Sequence, residues 1–308
     1  MDRPLISFVI PTFERSNLLG KCLASLVHSI LASGSPEIFE VFVSDNASTD
    51  STLETVSAYV RSYPSIVKSY HHQELLPPAE NLEFALSNAS GVFLKPLNDK
   101  ILVSSGAASA IRDLVFSLYE RQLRGPIIFS NGHSSLQTGC KAVYTLDSLI
   151  ETASYIITWW GSLGLWRSDL SSISLLTQGS SKWLSQVELL LALFYQKRIA
   201  IICDLPLFRV IPTKPKDYNV ANVFGREYAE ILYLCVESNR LSRRIYEAEV
   251  ASVFRNHVLP GYFDFENQNN YIRDGFFEHL SYLTGIVDVE EETSAYIRHY
   301  LVSLRGTF

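Results

Sequence analysis

The sequence predicts an α/β fold, in which a mostly parallel sheet is flanked by helices and followed by a C-terminal helical segment. Two short apolar runs, at residues 6–10 and 39–43, end abruptly in polar residues, as buried strands do where they meet a turn. Between them, apolar residues recur at helical spacing from Leu18 to Leu31, which predicts an amphipathic helix. Strand, helix and strand together have about the length of one βαβ crossover.

Polar residues follow both strands, at the point where a ligand would meet the sheet. The first strand runs into Thr12, Glu14 and Arg15, and the second into Asp45 and Asn46. Parallel strands of a βαβ unit end at the same edge of the sheet, where α/β proteins bind their ligands. The sequence therefore predicts one binding site built from both strand ends.

The chain after residue 50 continues the alternation of strands and helices. Apolar runs predict strands near residues 66–71, 92–97, 126–131 and 199–203, and helical periodicity predicts helices between them. Ser16 is a candidate N-cap of the first helix, and Ser51 with Glu54 fits a capping box for the second. Residues 136–143 are expected to form a variable loop or hairpin.

Composition narrows the class of protein. The chain has 308 residues, is 47% hydrophobic and carries a net charge of −6, so it can build a large core but offers no broad basic field for nucleic acid. Its four cysteines form no CxxC pair, and Cys22 and Cys203 are expected to be buried free thiols in a reducing cytoplasm. We expect no signal peptide and no membrane span, because the apolar runs are far shorter than about 20 residues. Any membrane contact is expected to be peripheral, at the inner face.

Two motifs resemble those of family 2 glycosyltransferases of the GT-A fold. In that family the first strand ends in a pattern like IPTYNR, and residues 10–15 here read IPTFER. The second ends in a pattern like VDDGSTDxT, and residues 43–52 read VSDNASTDST. The resemblance covers about residues 5–210. It implies inverting transfer of a sugar from a nucleotide-diphosphate sugar to a saccharide or lipid-linked acceptor, and it looks most like enzymes of bacterial O-antigen and capsule synthesis.

The resemblance also implies which residues hold the donor. Ten positions are expected to bind its nucleotide: Pro11, Thr12, Glu14, Arg15, Asp45, Asn46, Asn81, Lys95, Asn98 and Asp99. His71 and His72 are expected to lie in a loop near the nucleotide, in preference to a metal site, because no third ligand follows at a recognisable spacing.

One turn departs from the family pattern. Relatives carry an acidic DxD or DDD signature there, whose carboxylates meet the ribose and a divalent cation, whereas residues 98–100 here read Asn-Asp-Lys. Asp99 is the expected ligand of Mg²⁺ or Mn²⁺, which prefer oxygen donors, and it is expected to be required for turnover. Lys100 replaces an acid, so we expect metal dependence to be weaker than usual for the family, with Lys100 and nearby Arg15 or Lys95 supplying part of the charge that the diphosphate requires. The alternative is that Lys100 points to solvent and Asp99 alone anchors the ion through the diphosphate oxygens.

The acceptor side is less distinct. Trp160 and Trp166 are the acceptor-binding candidates, since sugars dock on aromatic faces; the alternative is that they are core residues. Glu188 is the candidate catalytic base, because residues 185–186 read Ser-Gln where the family has acids. Its alternative role is to stabilise the start of a helix.

We expect two domains and keep two other functions open. Residues 1–212 are predicted to form the GT-A nucleotide-sugar-binding and catalytic domain, and residues 213–308 a helical appendage that packs on it or on a second copy of the chain. The alternative function is a sugar-nucleotide-binding or scaffold protein that has lost catalysis. A nucleotidyltransferase ranks last, because no glycine-rich phosphate loop follows the first strand.

Overall fold

The computed structural model describes residues 3–179, 181, 183–212, 219–263 and 275–305. The chain forms two compact units. The first comprises Met1–Thr145, Ile156–Ser180 and Ser185–Pro212, and the second comprises Leu146–Tyr155, Ser181–Leu184 and Thr213–Phe308. The predicted domain boundary after residue 212 adjoins residues 213–218, which lie outside the described residues.

The first unit is built around two sheets. Its described part contains the strands β1 (Ile6–Thr12), β2 (Phe39–Asp45), β3 (Val67–His71), β4 (Phe93–Pro96), β5 (Ile101–Val103), β6 (Ile127–Phe129), β7 (Gly139–Val143), β8 (Leu163–Trp166), β9 (Ala200–Asp204) and β10 (Phe208–Val210). Eight of them form one sheet in the order β3-β2-β1-β4-β8-β6-β9-β7, while β5 pairs with β10.

Strand direction gathers most strand ends at one edge of the large sheet. The pairs β1–β2, β2–β3, β1–β4 and β6–β9 are parallel, and β8 runs antiparallel to both β4 and β6. Six strands, namely β1 to β4, β6 and β9, therefore share one direction and one carboxyl edge. The predicted mostly parallel sheet is confirmed, and Thr12 lies opposite Asp45 in the β1–β2 register.

Helices cover this sheet where the apolar periodicity predicts them. In the first unit they are α1 (Ser16–Ala32), α2 (Thr52–Ser62), α3 (Pro78–Asn88), α4 (Ala107–Glu120), the single turn α6 (Leu175–Gln178) and α7 (Ser185–Lys197). The buried face of α1 contains Leu19, Leu23 and Ile30, which pack in the core with strand residues such as Phe8. This packing fixes where α1 begins, next to the carboxyl edge.

Ser51 occupies the N-cap position of α2 as predicted, but neither predicted side-chain cap forms. Arg15 is the N-cap of α1, and neither it nor Ser51 at the start of α2 accepts a side-chain cap bond. Instead the Asp50 carboxylate accepts from the backbone N–H of Ser16 at 3.2 Å and of Thr52 at 2.9 Å. One carboxylate thus serves both helix starts, because the loop after β2 lies against the start of α1.

Residues 139–143, expected to form a loop or hairpin, are the edge strand β7. It runs antiparallel to β9, with Cys140 opposite Cys203. Exposed side chains in the middle of an edge strand hide the alternation that predicts a strand. Cys22 and Cys203 are buried free thiols as predicted.

The second unit is helical in its described part, which contains α5 (Leu146–Ala153), α8 (Tyr228–Glu237), α9 (Arg243–Val253), the single turn α10 (Leu259–Tyr262) and α11 (Val289–Arg305). Its core holds a buried carboxylate, Glu249, which accepts from Ser154 Oγ at 2.9 Å and from Tyr228 Oη at 2.9 Å. Burial outweighs these hydrogen bonds and raises the pKa of Glu249 to about 7.

Among the described helices of both units, none is long and apolar enough to span a membrane.

Candidate functional site

The ends of β1 and β4 meet at a buried carboxylate. Thr12 Oγ1 donates to Asp99 Oδ2 at 2.9 Å, and Arg15 Nη1 donates to Asp99 Oδ1 at 2.9 Å. The Asp99 side chain is 5% exposed, whereas that of Arg15 is 48% exposed. Asp99 therefore anchors one end of a guanidinium group that remains accessible at the edge of the sheet.

A second buried carboxylate lies at the ends of β2 and β3. Asp45 Oδ2 is 2.8 Å from His71 Nδ1, and Asp45 Oδ1 accepts from the backbone N–H of Ser48 at 3.3 Å. The Asp45 side chain is 2% exposed and that of His71 is 30% exposed. The turn between Asp45 and Ser48 contains Ala47 in the left-handed region, with φ 58°. The pair places an imidazole at the sheet edge, where His71 ends β3.

Hydrogen bonds join the loops after β1 and β2. The Glu14 carboxylate accepts from the backbone N–H and the hydroxyl of Thr49, at 2.7 and 2.8 Å, and the Glu14 backbone N–H donates to Ser48 Oγ at 2.8 Å. Glu14 itself adopts φ 53°. Pro11 lies half-buried opposite Ser44 in the β1–β2 register. The two loops therefore form one connected wall of the site.

Two of the predicted donor residues are engaged in supporting this wall. Asn46 forms a reciprocal pair with the backbone of Leu76, donating at 2.8 Å and accepting at 2.9 Å. Asn81 Oδ1 accepts from Ser44 Oγ at 2.6 Å, and Ser44 also contacts His72. Both amides are buried, and their contacts hold the segment after β3 against the end of β2.

Lys95 does not lie where a phosphate contact was predicted. Its side chain is fully buried, and Nζ donates to the carbonyl oxygens of Pro96, Gly161 and Leu163 at 3.1, 2.5 and 3.2 Å. Burial lowers the pKa of the Lys95 ammonium to about 7, while three carbonyl acceptors favour its charged form. Lys95 points into the core from β4 and ties the end of that strand to residues 161–163.

Trp166 is likewise a core residue, so its predicted role in acceptor binding does not fit the structure. The side chain is 1% exposed, Nε1 donates to the Gly125 carbonyl oxygen at 2.9 Å, and the ring packs on Phe93. A buried ring offers no face to a sugar. Trp160 is half-buried in the short turn before β8 and remains the acceptor candidate.

The predicted base stands at the start of a helix. Glu188 lies half-buried in the first turn of α7, and nearby Gln186 Nε2 donates to the Thr158 carbonyl oxygen at 2.6 Å. Asn98 is half-buried beside Asp99. The structure thus leaves Glu188 and Asn98 partly accessible.

Sequence reasoning missed a third carboxylate at the carboxyl edge. Asp204 ends β9 and accepts from Ser130 Oγ at 2.5 Å and from the backbone N–H groups of Gly132 and Ser134 at 2.8 and 3.3 Å. Burial raises the pKa of this carboxyl, but these hydrogen bonds outweigh it and leave the pKa below its ordinary value. The signal was present, since an apolar run ending in an acid is the same pattern that identified Asp45.

A sequence model of the family described as "Glycosyl transferase family 2" matches residues 7–99, the segment that contains Thr12, Arg15, Asp45 and Asp99. This match makes residues 7–99 similar to the glycosyltransferase family 2 model, over a little less than a third of the chain. Validoxylamine A glucosyltransferase of Streptomyces hygroscopicus subsp. limoneus is 48% identical over 56 residues, which are 18% of this chain and 12% of that relative. The chain therefore spans a small part of that relative's length.

Solved structures of two glycosyltransferases share the fold over nearly the whole chain. S. aureus TarS in complex with UDP-GlcNAc matches with a TM-score of 0.58 at 15% identity, over 98% of this chain and 92% of that one. Mannosyltransferase PcManGT from Pyrobaculum calidifontis, in complex with GDP-Man and Mn²⁺, matches with a TM-score of 0.53 at 13% identity, over 98% and 81%. The predicted GT-A fold is confirmed.

A divalent ion needs several oxygen ligands, and the site does not present them. No three His, Cys, Asp or Glu side chains cluster around a common point in the described ranges. At the edge of the sheet, both carboxylate oxygens of Asp99 are already bonded, one to Thr12 and one to Arg15. As arranged, this set of donors does not fit a divalent cation.

Proposed function

We propose that this protein is an inverting glycosyltransferase, which moves a sugar from a nucleotide-diphosphate sugar to a saccharide or lipid-linked acceptor. One observation carries the proposal: Asp45 and the Arg15–Asp99 pair stand at the same carboxyl edge, within the segment that matches the family. α/β sheets bind ligands at this edge. A hydrogen-bond acceptor for the base or ribose and a cation for the diphosphate are the two groups that such a donor requires.

The proposed chemistry assigns a role to each side chain. Asp45, held by His71, accepts hydrogen bonds from the base or ribose, with Pro11, Thr12, Asn98 and the loop residues Glu14, Asn46 and Asn81 shaping the pocket. Asp99 meets the ribose through its hydrogen-bonded carboxylate, and Arg15 faces the diphosphate, on which negative charge develops as the donor bond breaks. Glu188 takes the proton of the acceptor hydroxyl, and Trp160 supports the acceptor sugar.

The solved structures support the choice of donors to test, and the setting rests on the motif resemblance. TarS was solved with UDP-GlcNAc and PcManGT with GDP-Man, so uridine and guanosine diphosphate sugars are the first donors to test. We place the reaction in bacterial surface polysaccharide synthesis, of the O-antigen or capsule type. We place the protein in the cytoplasm, at the inner face of the membrane, with residues 213–308 as an appendage through which two copies associate.

A second candidate function is a sugar-nucleotide-binding or scaffold protein without catalysis. The Asn98-Asp99-Lys100 turn and the Ser185-Gln186 pair favour it, because acids of the family pattern are replaced at both places. Such a protein would bind the same donors but would not break the bond to the sugar.

A donor turnover screen separates the two functions. Purified protein is incubated with a panel of UDP-, GDP-, CDP- and dTDP-sugars, and release of the nucleoside diphosphate is measured with and without saccharide acceptors. A transferase releases the diphosphate from one donor, and Asp99→Asn abolishes that release. Donor binding without any release, over the full panel, supports the scaffold function instead.

A further inference from the structure

We propose that Arg15, held by Asp99, neutralises the donor diphosphate in place of a divalent cation, so that donor binding does not depend on metal. This inference rests on the proposed function and concerns the same site. In this proposal Arg15 supplies the positive charge that a metal ion would otherwise supply. The described residues contain no cluster of three metal-binding side chains.

The first step is that both carboxylate oxygens of Asp99 already accept a hydrogen bond, and one of the donors is a cation. Oδ2 accepts from Thr12 and Oδ1 accepts from Arg15, both at 2.9 Å. The carboxylate is 5% exposed, so it cannot turn towards solvent without breaking both bonds. An ion bound to Oδ1 would lie close to the Arg15 guanidinium, and the two cations would repel each other.

The second step concerns the residues around Asp99. Its neighbour in the turn is Asn98 on one side and Lys100 on the other, so no second carboxylate of the turn adds to a ligand set. The Lys100 backbone carbonyl accepts from the Ile211 N–H at 2.8 Å, and β5 pairs with β10 beyond it. The turn is therefore fixed with a net charge of zero, where a Mg²⁺ or Mn²⁺ site requires acids.

The third step is that Arg15 is placed to serve as the cation. Its backbone N–H donates to Thr52 Oγ1 at 3.2 Å and its Nη1 is bonded to Asp99, which orients the side chain. Within the described residues its remaining guanidinium N–H groups make no protein hydrogen bond, and the side chain is 48% exposed. An arginine presents several N–H donors in a planar arrangement that matches phosphate oxygens.

Isothermal titration calorimetry with UDP and GDP tests the inference on the full chain. The wild-type protein is titrated in excess EDTA and again with Mn²⁺, and we expect the dissociation constants to agree within about threefold, because the charge is supplied by the protein. Arg15→Ala is expected to weaken binding of the diphosphate by about tenfold to a hundredfold, the loss expected for a hydrogen bond to a charged group. Uridine and guanosine, which lack phosphates, should bind this variant as they bind the wild type.

Arg61→Ala is the matched control, since Arg61 is an exposed arginine in α2 away from the strand ends, and it should leave every affinity unchanged. Binding of UDP or GDP that disappears in EDTA and returns with Mn²⁺ overturns the inference but leaves the proposed donor site standing. An Arg15→Ala protein with wild-type affinity for the diphosphates also overturns it. If neither UDP nor GDP binds under either condition, the titrations are repeated with CDP and dTDP, and absence of binding to all four overturns the inference and the proposed function together. The EDTA comparison uses wild-type protein and does not depend on how the variant folds.

Discussion

Asp45 is the residue whose replacement separates nucleotide binding from folding most cleanly. Asp45→Asn keeps the size of the side chain and removes its charge. In the free protein it weakens the contact with His71 Nδ1 at 2.8 Å and the bond from the Ser48 N–H at 3.3 Å. Asp204→Asn is a matched control, because Asp204 is also a buried carboxylate at a strand end that accepts backbone N–H groups.

The two variants should cost similar stability and differ in affinity. Weakening hydrogen bonds to a buried charged group costs about 1–3 kcal/mol, so both variants should unfold at lower denaturant than the wild type. If the Asp45 carboxylate accepts a hydrogen bond from the donor base or ribose, its loss costs a further 1.5 to 3 kcal/mol of binding free energy, or roughly ten- to a hundredfold in the dissociation constant. Asp204→Asn should leave the nucleotide affinity within about twofold, since β9 is separated from β2 by four strands, β1, β4, β8 and β6.

The assay is calorimetric titration of the preferred nucleoside diphosphate into each folded variant, after urea denaturation has measured the stabilities. Unchanged affinity in Asp45→Asn would refute the placement of the nucleotide at the ends of β2 and β3. Equal losses of affinity in both variants would show that the effect comes from general destabilisation.

Three further predictions concern other parts of the chain. Burial raises the pKa of Glu249 to about 7 from an ordinary value of 4.5. Between these two pH values the native state keeps a proton that the unfolded chain releases. The free energy of unfolding should therefore fall by up to about 3 kcal/mol as pH rises through this interval. Glu249→Gln should remove that fall in denaturation curves, and a wild-type slope in the variant would contradict the assignment. Trp160→Ala should raise the KM for the acceptor roughly tenfold and leave donor affinity unchanged. The control Phe116→Ala truncates an exposed aromatic residue of α4 and should change neither quantity. Equal KM values for both variants would remove Trp160 from the site. Glu188→Gln should lower kcat about a hundredfold or more with unchanged donor affinity, and a wild-type kcat would limit Glu188 to a helix-stabilising role.

The predicted parts of the fold are those that depend on local periodicity. The strand ends at Thr12 and Asp45 and the helix between them are visible because buried strands and an amphipathic helix repeat their apolar residues at fixed spacing. The same reasoning failed for β7, whose exposed side chains show no clear alternation. It also failed for the start of α1, where Asp50 comes from another loop to accept the Ser16 N–H.

The predicted site shows the same division between local pattern and tertiary contact. The sequence predicts Asp45, Arg15 and Asp99 at one edge of the sheet, because the carboxyl ends of parallel strands lie on the same side. It could not show that Lys95 turns into the core towards the Gly161 carbonyl oxygen or that Trp166 is buried. Those outcomes depend on residues more than 30 positions away, and no period in the chain reports them.

A crystal structure with the nucleoside diphosphate that binds most tightly would test the central claim most directly. We expect the base or ribose to lie within hydrogen-bonding distance of Asp45, beside His71. We expect the diphosphate oxygens to contact the Arg15 guanidinium while Asp99 remains bonded to it. A nucleotide bound away from the carboxyl ends of β1, β2 and β4 would contradict it.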